Sequence, residues 1–473
     1  MVRTKLVAVL LGPSGVGLVG LYQSATGVVG AFAGMGIVSS GVRAVAEAHS
    51  NCDPEQIAQT VKTLRRACWL TGIAGWVLTA VFSYPLSRWT FGTDDRAGAL
   101  ALLGGTLLLG SISGGQTALL QGVRRIGDLA RLNVVSVVVG TLAAVGLYAR
   151  LGERGIVPVI FTTAALNLAA SWWFAKKVDV IDVAQPLSET WRNSKRLLGL
   201  GLAFMWSGLL SAGVALAIRS LIVRDLGLDA NGVYQAAWGI SGMFAGFILG
   251  AMGTDFYPRL TALADDNQKV NQLVNEQTEI GILLALPGII ATLAFAPWMM
   301  RLFYTEKFLP GAELLPWFVL GIFGRVVSWP MGFILLAKGA SRWFAATETI
   351  FGFLHLGLCY LLLRWLGLWG VALAFAGFYA SYSLCMLWIT RRLSGLCWTP
   401  GVIRLLGIST TLVAAGFCAQ RWILGLTGLA IGGLLTALSC LISLRGIAIR
   451  LGTQHSLVQL ACRIPGGRII CKS

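Results

Sequence analysis

The chain has 473 residues, of which 56% are hydrophobic and 12% charged, with 37 Lys and Arg against 20 Asp and Glu, a net charge of +17 and 59 glycines. Soluble proteins carry about 25% charged residues, and one water-soluble core stops growing at about 250–300 residues. A soluble enzyme is excluded.

A run of about 20 apolar residues crosses hydrocarbon as a helix that satisfies its own backbone. Fourteen candidate spans follow in chain order: 1–12 (short), 18–40, 68–90, 98–121, 133–149, 155–175, 197–222, 232–254, 278–298, 310–337, 346–363, 367–390, 402–420 and 423–444. The predicted fold class is an all-α polytopic membrane protein. Only Leu6 to Gly12 forms an apolar run in the first span, so Met1 is expected to lie partway into a helix whose first half precedes it. A secretory signal is the rival reading, but Pro13 and the Gly15, Gly17, Gly20 run lack a cleavage-site pattern.

Lys and Arg mark the cytoplasmic loops. Loops after even-numbered spans, together with the tail, hold 24 of them, including Arg43, Arg65, Arg125, Lys195, Arg259 and Arg391; loops after odd-numbered spans hold 9. Both termini are therefore expected in the cytoplasm. The positive charge then reads as a topology signal, and nucleic acid is not an expected partner.

The nine cysteines show no CxxC spacing, which argues against a zinc site or disulfide framework. Three histidines (His49, His355, His455) exclude an HExxH site, and no GxxxxGK[ST] loop is present. No metal, cofactor or catalytic residue is expected, and the chain reads as a transporter rather than an enzyme. Transport would be passive, gradient-coupled or powered by another subunit.

An internal repeat organises the chain. Tyr22-Gln23-x3-Gly27-x2-Gly30-x-Phe32-Ala33-Gly34 recurs as Tyr234-Gln235-x3-Gly239-x2-Gly242-x-Phe244-Ala245-Gly246. Leu11-Gly12 answers to Leu226-Gly227, and Arg43 to Arg259. After these arginines, Asp53-Pro54 and Asp265-Asp266-Asn267 predict helix starts. The copies fall on spans 2 and 8, so the unit is six spans and the two lobes are expected to be related by a pseudo-two-fold axis along the membrane normal. The predicted organisation is a six-helix lobe over 1–196, a second over 197–395, two further spans over 396–445 and a basic cytoplasmic tail over 446–473. The repeat glycines are expected to allow close helix packing.

Arg3, Lys5, Arg219 and Arg325 fall inside spans, where a cation against lipid costs about 2.5–3.5 kcal/mol on insertion scales. Arg325 is mid-run and far from either interface; Lys5 and Arg219 precede Gly12 and Gly227 by seven and eight residues. A water-filled, net positive cavity follows, suited to an anionic substrate, with snorkelling as the alternative for Lys5 and Arg219. Asp255, Glu279, Glu313 and Glu348 lie near span ends and read as interfacial. Tyr22, Tyr234, Trp206, Trp238 and Trp329 could stack on sugars or simply pack helices.

The motifs resemble those of the Wzx-type flippases, the O-antigen and polysaccharide repeat-unit translocases of the multidrug/oligosaccharidyl-lipid/polysaccharide exporter superfamily. Arg3-Thr4-Lys5 with Leu11-Gly12-Pro13-Ser14-Gly15-Val16-Gly17-Leu18 is similar to that family's first-helix signature, and Ser40-Gly41-Val42-Arg43 with Ala46-Glu47-Ala48 to the end of its second helix. Asp255-Phe256-Tyr257-Pro258-Arg259-Leu260 is similar to its eighth-helix motif, and Trp329 to Gly339, then Phe344 and Glu348, to its tenth and eleventh spans. The resemblance covers residues 3–390. It departs in the short first helix and in Ile322, which stands where the family carries an acid just before its tenth-helix base.

The resemblance implies an exporter that moves undecaprenyl-diphosphate-linked oligosaccharide to the periplasmic leaflet of a bacterial inner membrane by alternating access, alongside a polysaccharide polymerase and a chain-length regulator. On that reading Arg325, Arg219 and Lys5 bind the diphosphate, and Gln23, Gln235, Tyr22, Tyr234 and Trp329 accept sugars. Arg43, Arg259, Asp255 and Glu348 gate or couple. The alternatives are a cation-coupled drug exporter, a lipid-II-type flippase and, less compatible with the short outward loops, a membrane glycan polymerase.

Overall fold

The computed structural model describes residues 2–51, 53–181, 183–422 and 426–451; the side chains of 2, 3, 187–204, 254, 422, 426 and 451 are outside that description, and so is the tail from 452 onward. The predicted roles of Arg3 and of most of the basic tail therefore lie outside the described residues. No strand occurs among the described residues, which form fifteen α-helices and two short 3₁₀ turns.

Ten segments are long and apolar enough to cross a membrane, or eleven if one bent pair is counted. The smaller number than the fourteen read from sequence arises because short breaks leave neighbouring spans in one continuous segment. Ile126–Ala175 and Met205–Gly253 run 50 and 49 residues, about twice the roughly 20 that one crossing needs, and in the first of them the two halves pack against each other, with Ser136 bonded to Asn167 at 3.1 Å. Each contains two of the predicted spans. Helix α1 (Val2–Gly34) likewise holds the first two, and the bent pair α3 (Pro54–Val81) and α4 (Ser83–Phe91), angled at 64°, carries the third.

The breaks inside these long segments are single glycines with positive φ. Gly12 (φ 67°) divides α1, and Gly227 (φ 89°) divides α8 (Leu187–Ala262). Gly152 (φ 54°) separates α6 (Ile126–Leu151) from α7 (Ile156–Ala175), while Gly367 (φ 63°) separates α12 (Ser341–Leu366) from α13 (Leu368–Ser394). Both pairs stand 215 positions apart. A third pair at this spacing closes α5 (Ala97–Gly122) and α11 (Leu315–Ala337): Arg124 (φ 57°) and Gly339 (φ 68°) are the left-handed residues of the same turn. Arg125 N–H reaches Leu120 O at 2.9 Å and Ala340 N–H reaches Leu335 O at 2.8 Å, the six-residue closure that satisfies orphan helix carbonyls. The repeat seen in residue identities is thus also written in the backbone.

Helix starts obey the same symmetry. Asp53 caps α3 by accepting from Glu55 N and Gln56 N, and Asp266 caps α9 (Asn267–Ala294) by accepting from Gln268 N and Lys269 N, as the polar stretches predict.

The chain divides into two compact units, before and after the Gly232–Val233 bond. In the first, Leu11, Leu18, Tyr22, Leu100, Leu103, Tyr148, Ile156 and Leu216 form a buried cluster. A close crossing in this unit has no room for a side chain: a Cβ on Gly17 would stand 2.4 Å from Leu228 O, and one on Gly232 1.9 Å from Pro13 O. In the second unit, Phe256, Leu260, Leu273, Met331, Ile334 and Met386 form the corresponding cluster. Helices α14 (Pro400–Trp422) and α15 (Leu426–Leu451) pack on α9, where Gly416, Gly432 and Gly446 meet Leu293, Ala294 and Leu283.

The repeat glycines do not play the packing role expected of them. Gly27, Gly34, Gly242 and Gly246 have nothing within 4 Å of an added Cβ, and only Gly30 and Gly239 meet a neighbour, Leu107 and Tyr304. Tight helix approach falls instead to glycines outside the motif, chiefly Gly17, Gly232, Gly321 and Gly370.

Candidate functional site

Helix α11 starts with a proline in its first turn and carries Arg325 near its middle, half-buried. Two glycines just before it let α13 come close. An added Cβ on Gly321 would lie 2.3 Å from Phe375 Cδ1, and one on Gly324 3.1 Å from Tyr379 Cβ. Ser383 fastens the approach by donating to Gly324 O at 3.1 Å. Tyr379 is thereby set against the turn of α11 that carries Arg325.

Glu348 enters from α12. It is half-buried, seven residues past the helix start, roughly 10 Å along the axis, so it is not the solvated end residue expected from sequence. Its Oε1 accepts from Tyr382 Oη at 3.4 Å, and its charge also reaches Tyr379. Ile322, the departure noted above, is buried at 2% exposure. Among the described residues no carboxylate forms an ion pair with Arg325. Behind this charged rim stands a run of rings: Phe351 and Tyr382 meet edge to face at 5.2 Å, and His355 stacks on Phe378 at 4.8 Å. Tyr379, Tyr382 and Phe378 were not singled out from sequence; an aromatic at nearly every turn of α13 was the available signal.

The other predicted residues are spread across the chain. Arg219 is buried in the first unit and donates to Ala215 O at 3.2 Å. Lys5 is half-buried in α1, Gln235 half-buried in α8, and Gln23 and Arg43 exposed. Asp255 and Arg259 meet as an exposed ion pair at 3.1 Å, one helical turn apart. Tyr22 and Tyr234 are buried at 2% and 4% exposure. Tyr22 packs on Phe91 at 5.4 Å; Tyr234 stacks on Trp238 at 6.2 Å and meets Phe318 at 5.7 Å. Their rings fill the interiors of their units. Trp329 lies against Phe256 and Phe333, at 5.7 and 4.6 Å. Of the predicted set, the structure brings Asp255 together with Arg259; Arg325 on α11 and Glu348 on α12 each adjoin tyrosines of α13, Tyr379 and Tyr382 respectively.

No group of three or more His, Cys, Asp or Glu side chains capable of holding a metal occurs among the described residues.

The chain is similar to proteins of known class. It is 26% identical over 406 residues to the lipid III flippase of Escherichia coli (strain K12), covering 82% of this chain and 94% of that one, and equally to the lipid III flippase of Shigella flexneri. Among solved structures it resembles an inward-facing multidrug resistance MATE family transporter of the MOP superfamily, with a TM-score of 0.67 at 18% identity over 83% of this chain and 94% of that chain. It also resembles the lipid II flippase MurJ in an inward closed conformation, with a TM-score of 0.62 at 12% identity over 92% and 97%. The structural likenesses establish the all-helical fold. Residues 6–313 match the family described as polysaccharide biosynthesis protein, well over half of the chain, and the protein belongs to that family.

Proposed function

We propose that this protein is a flippase that moves undecaprenyl-diphosphate-linked oligosaccharide repeat units, of O-antigen or a related polysaccharide, from the cytoplasmic to the periplasmic leaflet of a bacterial inner membrane. The observation that carries the reading is Arg325: a half-buried guanidinium in mid-span, next to the close approach of Tyr379 and without an ion-paired carboxylate among the described residues. A cation held in that way at membrane depth is compensated by a visiting anion, and a guanidinium grips a phosphate bidentately. Membership of a polysaccharide biosynthesis family and likeness to lipid III flippases support a lipid-linked substrate over a free one.

Lys5 and Arg219 extend the positive charge in the first unit, and Gln23 and Gln235 offer amides for sugar hydroxyls. Asp255, Arg259 and Arg43 at the ends of the repeated helices act as gating contacts. Alternating access carries the headgroup while the prenyl tail stays in lipid. With the cell interior negative, outward movement of two negative charges is favoured by about 4.6 kcal/mol per 100 mV. Both termini face the cytoplasm, and a polymerase and chain-length regulator act on the delivered units.

One observation favours a second reading. Glu348 places a carboxylate inside a span, which a cation-coupled drug exporter also requires. The two separate in a strain lacking its own repeat-unit flippase. Expression of this chain restores surface polysaccharide, Arg325→Ala abolishes the restoration and Arg325→Lys keeps part of it. Restoration by Arg325→Ala at the wild-type level, or drug resistance without polysaccharide, overturns the flippase reading.

A further inference from the structure

The rim beside Arg325 has more chemistry than a phosphate needs. A diphosphate is satisfied by cations and N–H donors, yet the side chains gathered here are an acceptor-only carboxylate and two largely buried phenols. Tyr382 donates to Glu348 at 3.4 Å, a long and weak bond that a better donor displaces. The Tyr379 and Tyr382 rings lie 6.1 Å apart and both are largely buried. Phe378, backed by His355, adds a third ring, 4.6 Å from Tyr379 and 5.8 Å from Tyr382. A carboxylate that accepts hydroxyl protons, next to rings that cover C–H faces, is the chemistry that holds a pyranose.

We infer that Glu348, Tyr379 and Tyr382 form a sugar-recognition subsite that takes the pyranose joined directly to the diphosphate held by Arg325. The inference rests on the anion-binding reading of Arg325 and adds substrate selection to it. Glu348 accepts from ring hydroxyls, replacing its bond from Tyr382. The freed Tyr382 hydroxyl turns to the glycan, and Tyr379 bridges the sugar and the phosphate ends of the site. A subsite built to hydrogen-bond hydroxyls discriminates against a headgroup that lacks them, because its own buried polar groups are then left unpaired.

The first unit shows that this chemistry is not imposed by the fold. At the positions 215 residues earlier stand Gly110, Asn133, Ser136, Ala164 and Asn167, in place of Arg325, Glu348, Phe351, Tyr379 and Tyr382. The backbone is repeated, and only the second unit has the carboxylate and the rings.

The test is binding to purified full-length protein in lipid nanodiscs, with two probe classes: a prenyl diphosphate alone, and the same lipid bearing one hexose or N-acetylhexosamine from a small panel. The readout is the affinity ratio of the best sugar-bearing probe to the bare one. In the wild type this ratio exceeds ten. Glu348→Gln lowers it at least tenfold, Glu348→Asp less, and Tyr382→Phe by three- to tenfold; size-exclusion profiles verify that each variant is folded. Arg325→Gln instead weakens both probes together and leaves the ratio standing. A wild-type ratio near one, or an unchanged ratio in both Glu348→Gln and Tyr382→Phe, overturns the sugar subsite. Undiminished binding of bare prenyl diphosphate to Arg325→Gln overturns the anion site itself, a distinct failure.

Discussion

At positions 215 residues apart, the first unit offers small neutral side chains where the second offers charge and rings: Gly110 against Arg325, Asn133 against Glu348, Ala164 against Tyr379, Asn167 against Tyr382. The hydrogen bonding differs accordingly. In the first unit Asn167 accepts from Ser136 and donates to Ser113, both at 3.1 Å, so donors and acceptors consume one another. In the second, Tyr382 donates to Glu348 at 3.4 Å, and Arg325 has no ion-paired carboxylate among the described residues. One scaffold therefore supplies a satisfied packing seam in one copy and, on the reading proposed above, a binding rim in the other.

The same contrast holds where each unit ties down the chain at the end of its equivalent helix, α7 in the first and α13 in the second. In the first unit Lys62 donates to Val183 O, Arg66 to Gln185 O at 3.0 Å and Gln185 to Thr63 Oγ1 at 3.0 Å. In the second, Asn271 donates to Ser394 O at 2.8 Å, while Asn275 donates to Cys397 O at 3.1 Å and accepts from Thr399 N at 2.9 Å. Basic groups do in one copy what amides do in the other.

The largest expected effect breaks the comparison at its centre. Arg325→Gln lowers repeat-unit export by roughly 10- to 100-fold, the equivalent of about 1.5–3 kcal/mol for a charge-assisted contact. Adding Gly110→Arg to that variant, where an added Cβ meets no neighbour within 4 Å, does not restore it, because the first unit lacks the surrounding carboxylate and phenols. Surface polysaccharide in complemented cells measures both. Next come the segment ties. Asn275→Leu removes three hydrogen bonds from a side chain that is 5% exposed and costs about 2–3 kcal/mol, whereas Lys62→Met, losing the bond to Val183 O from a less buried side chain, costs about 1 kcal/mol. Thermal unfolding in detergent compares the two, and equal losses would show the ties to be equivalent.

Smaller still is the matched turn. Arg124→Gly relieves a left-handed residue and raises stability by up to about 1 kcal/mol, and Gly339→Arg lowers it by about 1–2 kcal/mol. Effects of the same sign in both variants would refute the backbone equivalence. The smallest is acid sensitivity at the α9 cap. The Lys269 backbone N–H, aided by its side chain, holds Asp266 below the ordinary aspartate value of 3.8. A depressed folded-state value stabilises the protein above the unfolded one, so the contribution is full above about pH 5 and fades as pH falls through 3.8 and below. Asp266→Asn keeps the cap and flattens that part of the acid profile, as unfolding scans between pH 5 and pH 3 would register.

Much of this was legible in the sequence because it depends on local rules. Apolar run length gave the helices, Asp53 and Asp266 announced their caps, and Gly12 with Gly227 marked the breaks by their place in the repeat. Arg325 stood out because a cation in an apolar run demands an explanation. What stayed hidden depends on which faces meet. Tyr22 and Tyr234 looked available for sugars, yet their helices turn both rings inward. Glu348 looked interfacial, yet α12 begins seven residues before it. Tyr379 and Tyr382 gained meaning only when Gly321 and Gly324 brought α13 against α11, a contact that no periodicity along one helix encodes.

The most direct measurement follows the headgroup across a membrane. In vesicles containing the purified protein and an undecaprenyl-diphosphate-linked oligosaccharide, the account predicts that wild-type protein exposes the glycan on the opposite leaflet. Arg325→Lys should do so several-fold more slowly, and Arg325→Gln at the rate of empty vesicles. Transfer by Arg325→Gln as fast as by the wild type would contradict it.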